Sequence, residues 1–317
     1  MKRTKKVLSP GGKGGFVKSI RDHWPLYVLS LPGLVALLLF SYLPMAGLYI
    51  VFERYTYQGG LFGSEFVGLK NFEFFFSNME NALRATRNTI VVNFFNIILT
   101  TVVAVGLAVM MNEIRNKWFK KVTQSIMFFP HFISWVVVGT IAVTFLDEKK
   151  GLINGMMTSL GMDPVLWYSN PWLWWPLLIF FSVWKAAGFN SIIYFAAITG
   201  FDPSYYEAAT VDGASKWQQI TKITIPLLMP TIIILFLLAV GGILAGDITQ
   251  ILGLTNLNPM LLETTDNIST FVYRTALQNG QFESASAVQL YQSIVGFMLV
   301  MFSNWIVKRY DKEYALF

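Results

Sequence analysis

Acidic and small side chains occur together in one polar segment of an otherwise apolar sequence. The segment reads YEAATVDGASKWQQITKITIPLLMP, from Tyr206 to Pro230. Glu207 and Asp212 can each pair with a basic group of another protein, because charge-assisted contacts are strong at close range. Small residues next to them would let that protein approach closely: Ala208, Ala209 and Ala214. The generic pattern favours an amphipathic linker lying on a membrane, with a docking surface as the alternative.

The residue types of common enzyme sites do not form a recognisable pattern. The chain has no cysteine, and its two histidines, His23 and His131, are not at a metal-ligand spacing. Neither GxSxG nor HExxH occurs, and the GGKGG at 11–15 lacks the Ser or Thr that follows the lysine of a P-loop. We therefore expect no catalytic residue, no metal and no cofactor in this chain.

Composition places these candidates in a membrane protein. Of the 317 residues, 54% are hydrophobic and only 13% are charged, which is unusual for a soluble domain. The net charge of +6 could suggest nucleic acid, but the basic residues are distributed as in a membrane protein, so nucleic acid is not expected as a partner.

Six apolar stretches are long enough to cross a bilayer, which takes about 20 helical residues. They predict an all-α fold with six transmembrane helices near 26–52, 88–112, 122–146, 173–199, 228–250 and 288–307. The first stretch is too long for a cleaved signal peptide and is expected to remain as a membrane anchor.

Lys and Arg residues predict the orientation of these spans. One set of connections carries sixteen of them, seven in the N-terminal arm alone, whereas the opposite, longer connections carry seven. Because basic residues are retained in the cytoplasm, both termini are predicted to be cytoplasmic. The predicted segments are a basic arm (1–24), a six-span domain (25–307) with an external loop (53–87) and a cytoplasmic loop (200–227), and a cytoplasmic tail (308–317).

Local signals predict two short helices in the cytoplasmic loop. Asp202 followed by Pro203 is a suitable N-cap and first turn for a helix through SYYEAATV. Gly213 is expected to provide a turn, and a second short helix is expected to follow through SKWQQITK. Pro226 and Pro230 then mark the start of the fifth span.

The loop resembles the EAA loop of bacterial ABC import permeases, and this resemblance implies that it is the coupling loop that docks on the ATPase subunits. Its pattern is EAA, three residues, Gly, about nine residues, and then I-x-L-P. The matching residues are Glu207, Ala208, Ala209, Gly213, Ile223 and Pro226, with Asp212 and Ala214 completing the DGA form of sugar permeases. Ile225 in place of Leu and Ile220 in place of an aromatic residue are mild departures.

Further segments resemble the MalF-type carbohydrate branch, and in particular the poly- and oligosaccharide permeases that work with a lipoprotein binding subunit. They are FVGLKNFEFFF, RNTIVVNFF, VWKAAGFNSIIYFAAITGFDPSYYEAA and FVYRTALQNGQFESASAV. The resemblance implies a type I importer (MetI-like) permease in the bacterial cytoplasmic membrane. It also implies a second homologous permease, two ATPase subunits that bind the ATP and Mg²⁺, an extracytoplasmic solute-binding protein and a carbohydrate substrate. A non-sugar solute such as glycerol phosphate, or a secondary transporter, is the alternative.

Polar residues within the spans are the candidates for the substrate path. Lys185 and Asp247 are expected at similar depth on spans four and five, where an interhelical ion pair is favoured over direct sugar contact. Amides and hydroxyls that could pair with sugar hydroxyls lie on spans two and four: Asn93, Asn96, Asn190, Ser191 and Tyr194. Gly242 and Gly246 form a GxxxG pair that predicts close helix packing in span five.

Overall fold

The computed structural model describes residues 23–77, 79–310 and 315, and shows a mainly helical protein. Most of the predicted N-terminal arm and part of the predicted tail lie outside the described residues. A boundary between two compact units falls between Phe66 and Val67. Each unit is described by itself.

The first unit contains one long helical run, Trp24–Phe52. It begins as helix α1 (Trp24–Leu37) and continues as a π-helix (Leu38–Tyr42) and a 3₁₀-helix (Leu43–Phe52). The predicted first span is therefore helical throughout. Two short antiparallel strands follow, β1 (Glu53–Arg54) and β2 (Glu65–Phe66), with Glu53 opposite Phe66.

The second unit contains the remaining helices. Before the cytoplasmic loop these are α2 (Lys70–Ser77), α3 (Met79–Glu113), α4 (Lys117–Phe132), α5 (Trp135–Leu146), α6 (Leu152–Ser159), a 3₁₀ turn (Pro171–Leu173) and α7 (Trp174–Thr199). The loop and the next span contain α8 (Ser204–Val211), α9 (Lys216–Gln219), a π-helix (Ile220–Thr224) and α10 (Ile225–Gly241). The chain ends with α11 (Ile248–Thr255), a 3₁₀ turn (Pro259–Leu261), α12 (Leu262–Thr265), α13 (Ile268–Tyr273), a π-helix (Arg274–Gln278) and α14 (Phe282–Tyr310).

Within the described residues, five helical runs are long and apolar enough to cross a membrane, and a sixth results if α4 and α5 count as one span. This agrees with the six predicted spans, but the third is not the single straight helix predicted over 122–146. The chain bends by 98° between Phe132 and Trp135. Ile133 is extended, and the Ser134 side chain accepts a hydrogen bond from the Val137 amide, so a new helix begins there.

The predicted end of the fifth span is also wrong. Helix α10 ends at Gly241 instead of continuing to residue 250. Asp247 accepts hydrogen bonds from the amides of Thr249 and Gln250, and thus caps a separate helix, α11. Gly242 and Gly246 consequently lie in the break and do not form a helical GxxxG pair.

Glycine residues allow the broken spans to pack at backbone distance. A Cβ at Gly139 on α5 would overlap the carbonyl oxygen of Gly253 on α11, and a Cβ at Gly188 on α7 would overlap that of Met127 on α4. Each half of the broken third span is therefore fitted closely against a different helix.

Candidate functional site

The predicted docking segment contains the expected first helix. The Asp202 carboxylate accepts a hydrogen bond of 2.9 Å from the Ser204 amide at the start of α8, and this bond lowers the pKa of Asp202. After α8, Gly213 has φ +77°, a left-handed conformation that favours glycine. The Ala214 amide then donates 2.8 Å to the Ala209 carbonyl. These contacts confirm the predicted helix and turn, but the N-cap residue is Pro203 and not Asp202, which lies one position earlier.

The second part of the segment differs from the prediction. Ser215 and Gln218 form a reciprocal capping box that starts α9. Helix α9 does not stop before the fifth span, because the backbone stays helical from Lys216 to Gly241. Pro226 lies inside this run as the second residue of α10, directly after the π-helix Ile220–Thr224.

Two side-chain contacts hold the segment together, and a third joins it to α3. The Tyr206 and Thr224 hydroxyls are 3.0 Å apart, and the Gln219 amide donates to the Thr210 hydroxyl, also at 3.0 Å. Lys216 forms an ion pair of 3.4 Å with Glu113 at the end of α3. Helix α8 is therefore coupled directly to the run that becomes the fifth span.

The motif residues form an accessible surface. Glu207, Ala208, Asp212, Gly213 and Pro226 are exposed. Ala209 and Ala214 are half-buried. Among the ion pairs of the described residues, none includes either acid. Val211, in the last turn of α8, is 88% exposed. Helix α8 thus presents the charged Glu207 and the apolar Val211 on its exposed surface.

The predicted ion pair between Lys185 and Asp247 is absent from the described residues. The Lys185 ammonium instead donates to the carbonyls of His131 and Ile133, both at 2.6 Å, at the end of α4. Asp247 accepts 2.6 Å from the Trp135 indole, and Lys185 lies 5.6 Å from the centre of that ring. The prediction failed because it treated span five as one helix. In the structure, Lys185 binds carbonyls at the break in span three, and Asp247 caps the helix that follows the break in span five.

Three of the other predicted path residues line one cleft. Asn96 on α3 and Asn190 and Tyr194 on α7 border a space of about 280 Å³, together with Thr100 and Thr101. Asn93 instead donates to the carbonyls of Ile243 and Ala245 and thus satisfies the break after α10. The Ser191 hydroxyl is buried and donates to the Gly188 carbonyl within its own helix.

A buried charge cluster was not predicted. The Asp266 side chain is fully buried and accepts from Arg84 at 3.0 Å and from Arg274 at 2.7 Å. Arg87 nearby on α3 pairs with Glu263 at 2.8 Å, with both side chains about half exposed. Arg84 and Asp266 are 182 positions apart in the chain, so no local pattern indicates their contact.

The segment between α5 and α7 is held by a buried amide. The Asn154 side chain donates to the carbonyls of Glu148 and Val165, and accepts from the Val165 amide and the Trp167 indole. Burial, with a smaller contribution from Asp147, raises the pKa of Tyr168 to about 12. These contacts give the 147–170 segment a defined structure.

Comparison with known proteins identifies the architecture. A family model described as the inner membrane component of binding-protein-dependent transport systems matches residues 101–314. The chain belongs to this family. The match includes α8 with its exposed Glu207, so the predicted docking segment lies within the matched residues.

Two curated relatives and one solved structure cover nearly the whole permease. The polygalacturonan/rhamnogalacturonan transport system permease protein YteP of Bacillus subtilis (strain 168) is 37% identical, over 94% of this chain and 91% of its own length. The protein LplB of the same organism is 34% identical, over 98% and 97%. A bacterial alginate ABC transporter, crystallised with its alginate-bound periplasmic protein, contains a chain that is 36% identical. The TM-score is 0.82, with 94% and 98% of the two chains covered. The permease therefore has the fold of this ABC importer class.

Proposed function

We propose that this permease forms half of the membrane path of an ATP-driven importer for an acidic oligosaccharide. The proposal rests mainly on the exposed α8 segment, which is tied to spans two and five by defined contacts. Two comparisons at 36–37% identity support the substrate class, since one relative belongs to a polygalacturonan/rhamnogalacturonan transport system and the structural neighbour to an alginate transporter. A second homologous permease, two ATPase subunits and a solute-binding protein would complete the complex.

Coupling would begin at α8. Glu207 would pair with a basic ATPase residue, while Val211 and the alanines would enter an apolar cleft there. ATP-driven closure of the ATPases would move α8, and the Tyr206–Thr224 and Gln219–Thr210 contacts would transmit that movement to the run Lys216–Gly241. Rotation of this run against α3 would convert an inward-facing path to an outward-facing one. ATP and Mg²⁺ would be bound by the partner ATPases.

The cleft between α3 and α7 is the proposed substrate surface of this subunit. Asn96 and Asn190 offer amide donors and acceptors, and Tyr194 adds an aromatic ring. This combination suits sugars, which present hydroxyls at their edges and apolar faces to aromatic rings. Lys185 would act by holding the broken third span in place beside this path, not by contacting the sugar.

The proposed orientation puts both termini and α8 in the cytoplasm of a bacterium. The basic residues support it, because Arg115 lies in the short link between α3 and α4, and Lys117, Lys120 and Lys121 lie in the first turns of α4. Three segments would then lie on the extracytoplasmic side of this membrane, where the solute-binding protein docks: 53–87, 147–170 and 256–281.

A charge reversal at Glu207 tests the coupling role. Glu207→Lys should abolish or strongly reduce uptake and ATPase copurification, because it places a positive charge opposite the proposed basic partner. Membrane insertion should be normal, since the side chain is exposed. The matched control is Asp163→Lys, an exposed acid in the segment 147–170, and should leave ATPase copurification unchanged. Normal uptake with a normally assembled Glu207→Lys complex would contradict the proposal.

A further inference from the structure

An apolar groove opens between the two helices that border the 147–170 segment. Helices α5 and α7 and the start of α6 enclose about 420 Å³, lined without a charged residue. Its wall includes Phe145, Phe180 and Trp184, which are 45%, 61% and 39% exposed, and Ile153 of α6 lies at one end. The groove is continuous with helix surfaces that are long and apolar enough to lie in a bilayer.

Helix α6 adds an amphipathic rim to this groove. Leu152, Met156 and Leu160, each four positions apart, are 49%, 66% and 77% exposed. Asn154 on the opposite side is buried and fixes the helix through four hydrogen bonds. The exposed apolar side of α6 is therefore held in place and does not result from fraying.

Position along the chain places α6 at the membrane surface. Only five residues separate α6 from the end of α5, and they form a tight turn in which Asp147 accepts from the amides of Lys149 and Lys150 at 3.0 and 2.7 Å. Trp172, just before α7, is 55% exposed. Tryptophan is enriched at membrane interfaces, so this residue also indicates the membrane surface at this end of the helices.

Charge at the turn indicates the lipid class. Lys149 and Lys150 are exposed, and neither takes part in an ion pair among the described residues. The carboxylates of the two adjacent acids are directed into the segment, since Asp147 caps the turn and Glu148 accepts from the Ser169 hydroxyl at 2.8 Å, although Asp147 also attracts both lysines electrostatically. Two exposed ammonium groups thus lie in the turn that joins the apolar groove to α6.

We propose that this groove binds an anionic phospholipid. One acyl chain occupies the space between α5 and α7, the exposed side of α6 lies among neighbouring chains, and Lys149 and Lys150 hold the phosphate. The site is independent of the sugar cleft, which is lined by other residues, and of the coupling segment. Neither outcome of the Glu207→Lys experiment bears on this lipid site, so the coupling proposal and the lipid proposal can fail separately.

Fluorescence quenching tests the site in the assembled complex. Because this chain has no cysteine, Met156→Cys can be labelled with a small fluorophore, once the partner subunits are free of reactive thiols. The complex is placed in nanodiscs that contain brominated phosphatidylglycerol or, at the same mole fraction, brominated phosphatidylcholine. We expect both lipids to quench the fluorophore, and phosphatidylglycerol to quench it more strongly than phosphatidylcholine. In the double variant Lys149→Gln/Lys150→Gln, that preference should fall about fivefold per lysine. Lys70→Gln, which removes another exposed lysine, should not change it.

Native mass spectrometry of the purified complex tests the groove itself. Wild-type complex should retain phosphatidylglycerol, and Ile141→Trp, which fills the groove, should lose it while the complex remains assembled. Absence of quenching by either lipid would show that protein covers this side and would overturn the proposal. Equal quenching by both lipids, or retention of phosphatidylglycerol by the Ile141→Trp complex, would also overturn it.

Discussion

Lys185 shows how a single charge is satisfied within the spans. Its ammonium donates to the carbonyls of Pro130, His131 and Ile133, which belong to the last turn of α4 and the break after it. Helix C-terminal carbonyls lack intrahelical partners and carry partial negative charge, so a lysine is a suitable group to satisfy them. Asp247 provides the complementary function at the start of α11.

We expect Lys185→Met to destabilise the complex by about 1.5–3 kcal/mol, because it leaves these carbonyls without a charged donor. Thermal unfolding of the complex in nanodiscs measures this. The double variant Lys185→Met/Asp247→Asn should be no more stable than Lys185→Met, since the two residues do not pair. Lys121→Met, an exposed lysine on the same helix α4, is the matched control and should have little effect. Recovery of stability in the double variant would restore the ion-pair interpretation.

At the scale of elements, breaks in two spans create the contacts that define this unit. Helix α5 packs on α11 through Gly139 and Gly253, and a Cβ at Gly253 would in turn crowd the Trp135 carbonyl. Trp135 also donates to Asp247, so the break in span three and the start of α11 share one contact. We therefore expect α5 and α11 to move together during transport.

Gly139→Ala should destabilise the complex by about 1–3 kcal/mol, because its methyl group overlaps backbone atoms that cannot rotate away. Gly106→Ala on α3 is the matched control. It has nothing within 4 Å and should be neutral or stabilising, since alanine has the higher helix propensity. Thermal unfolding and uptake should be measured together. An equal effect of the two substitutions would contradict the close packing of α5 and α11.

At the scale of the whole second unit, the Asp266 cluster joins parts of the chain that are distant in sequence. Arg84 lies at one end of α3, Asp266 precedes α13, and Arg274 follows it. Asn88 adds a hydrogen bond from α3 to the Asp266 carbonyl. The cluster thus fixes the 256–267 segment over the end of span two.

Asp266→Asn should cost about 3–5 kcal/mol, because removal of one partner leaves two arginines next to a buried site without their counter-charge. Glu263→Gln, in the half-exposed pair with Arg87, is the control and should cost at most about 1 kcal/mol. Denaturation of the purified complex distinguishes the two. A small loss for Asp266→Asn, comparable with that of the control, would show that the cluster is not a major source of stability.

The sequence by itself determined the membrane class, the helical fold and the helix and turn of the EAA segment. Apolar runs of span length indicate burial in lipid directly, and the EAA residues, Asp202 at the start of α8 and Gly213 act within a few positions of one another, so their signals are local. Only the tertiary structure decided where spans three and five break and which groups satisfy those breaks. Ser134 and Asp247 can cap a helix or remain within one, and the outcome depends on partners such as Lys185 and Asn93, more than 50 and 140 residues away. Depth counted along an assumed straight helix could not reveal these contacts, because each break changes the direction of every residue that follows.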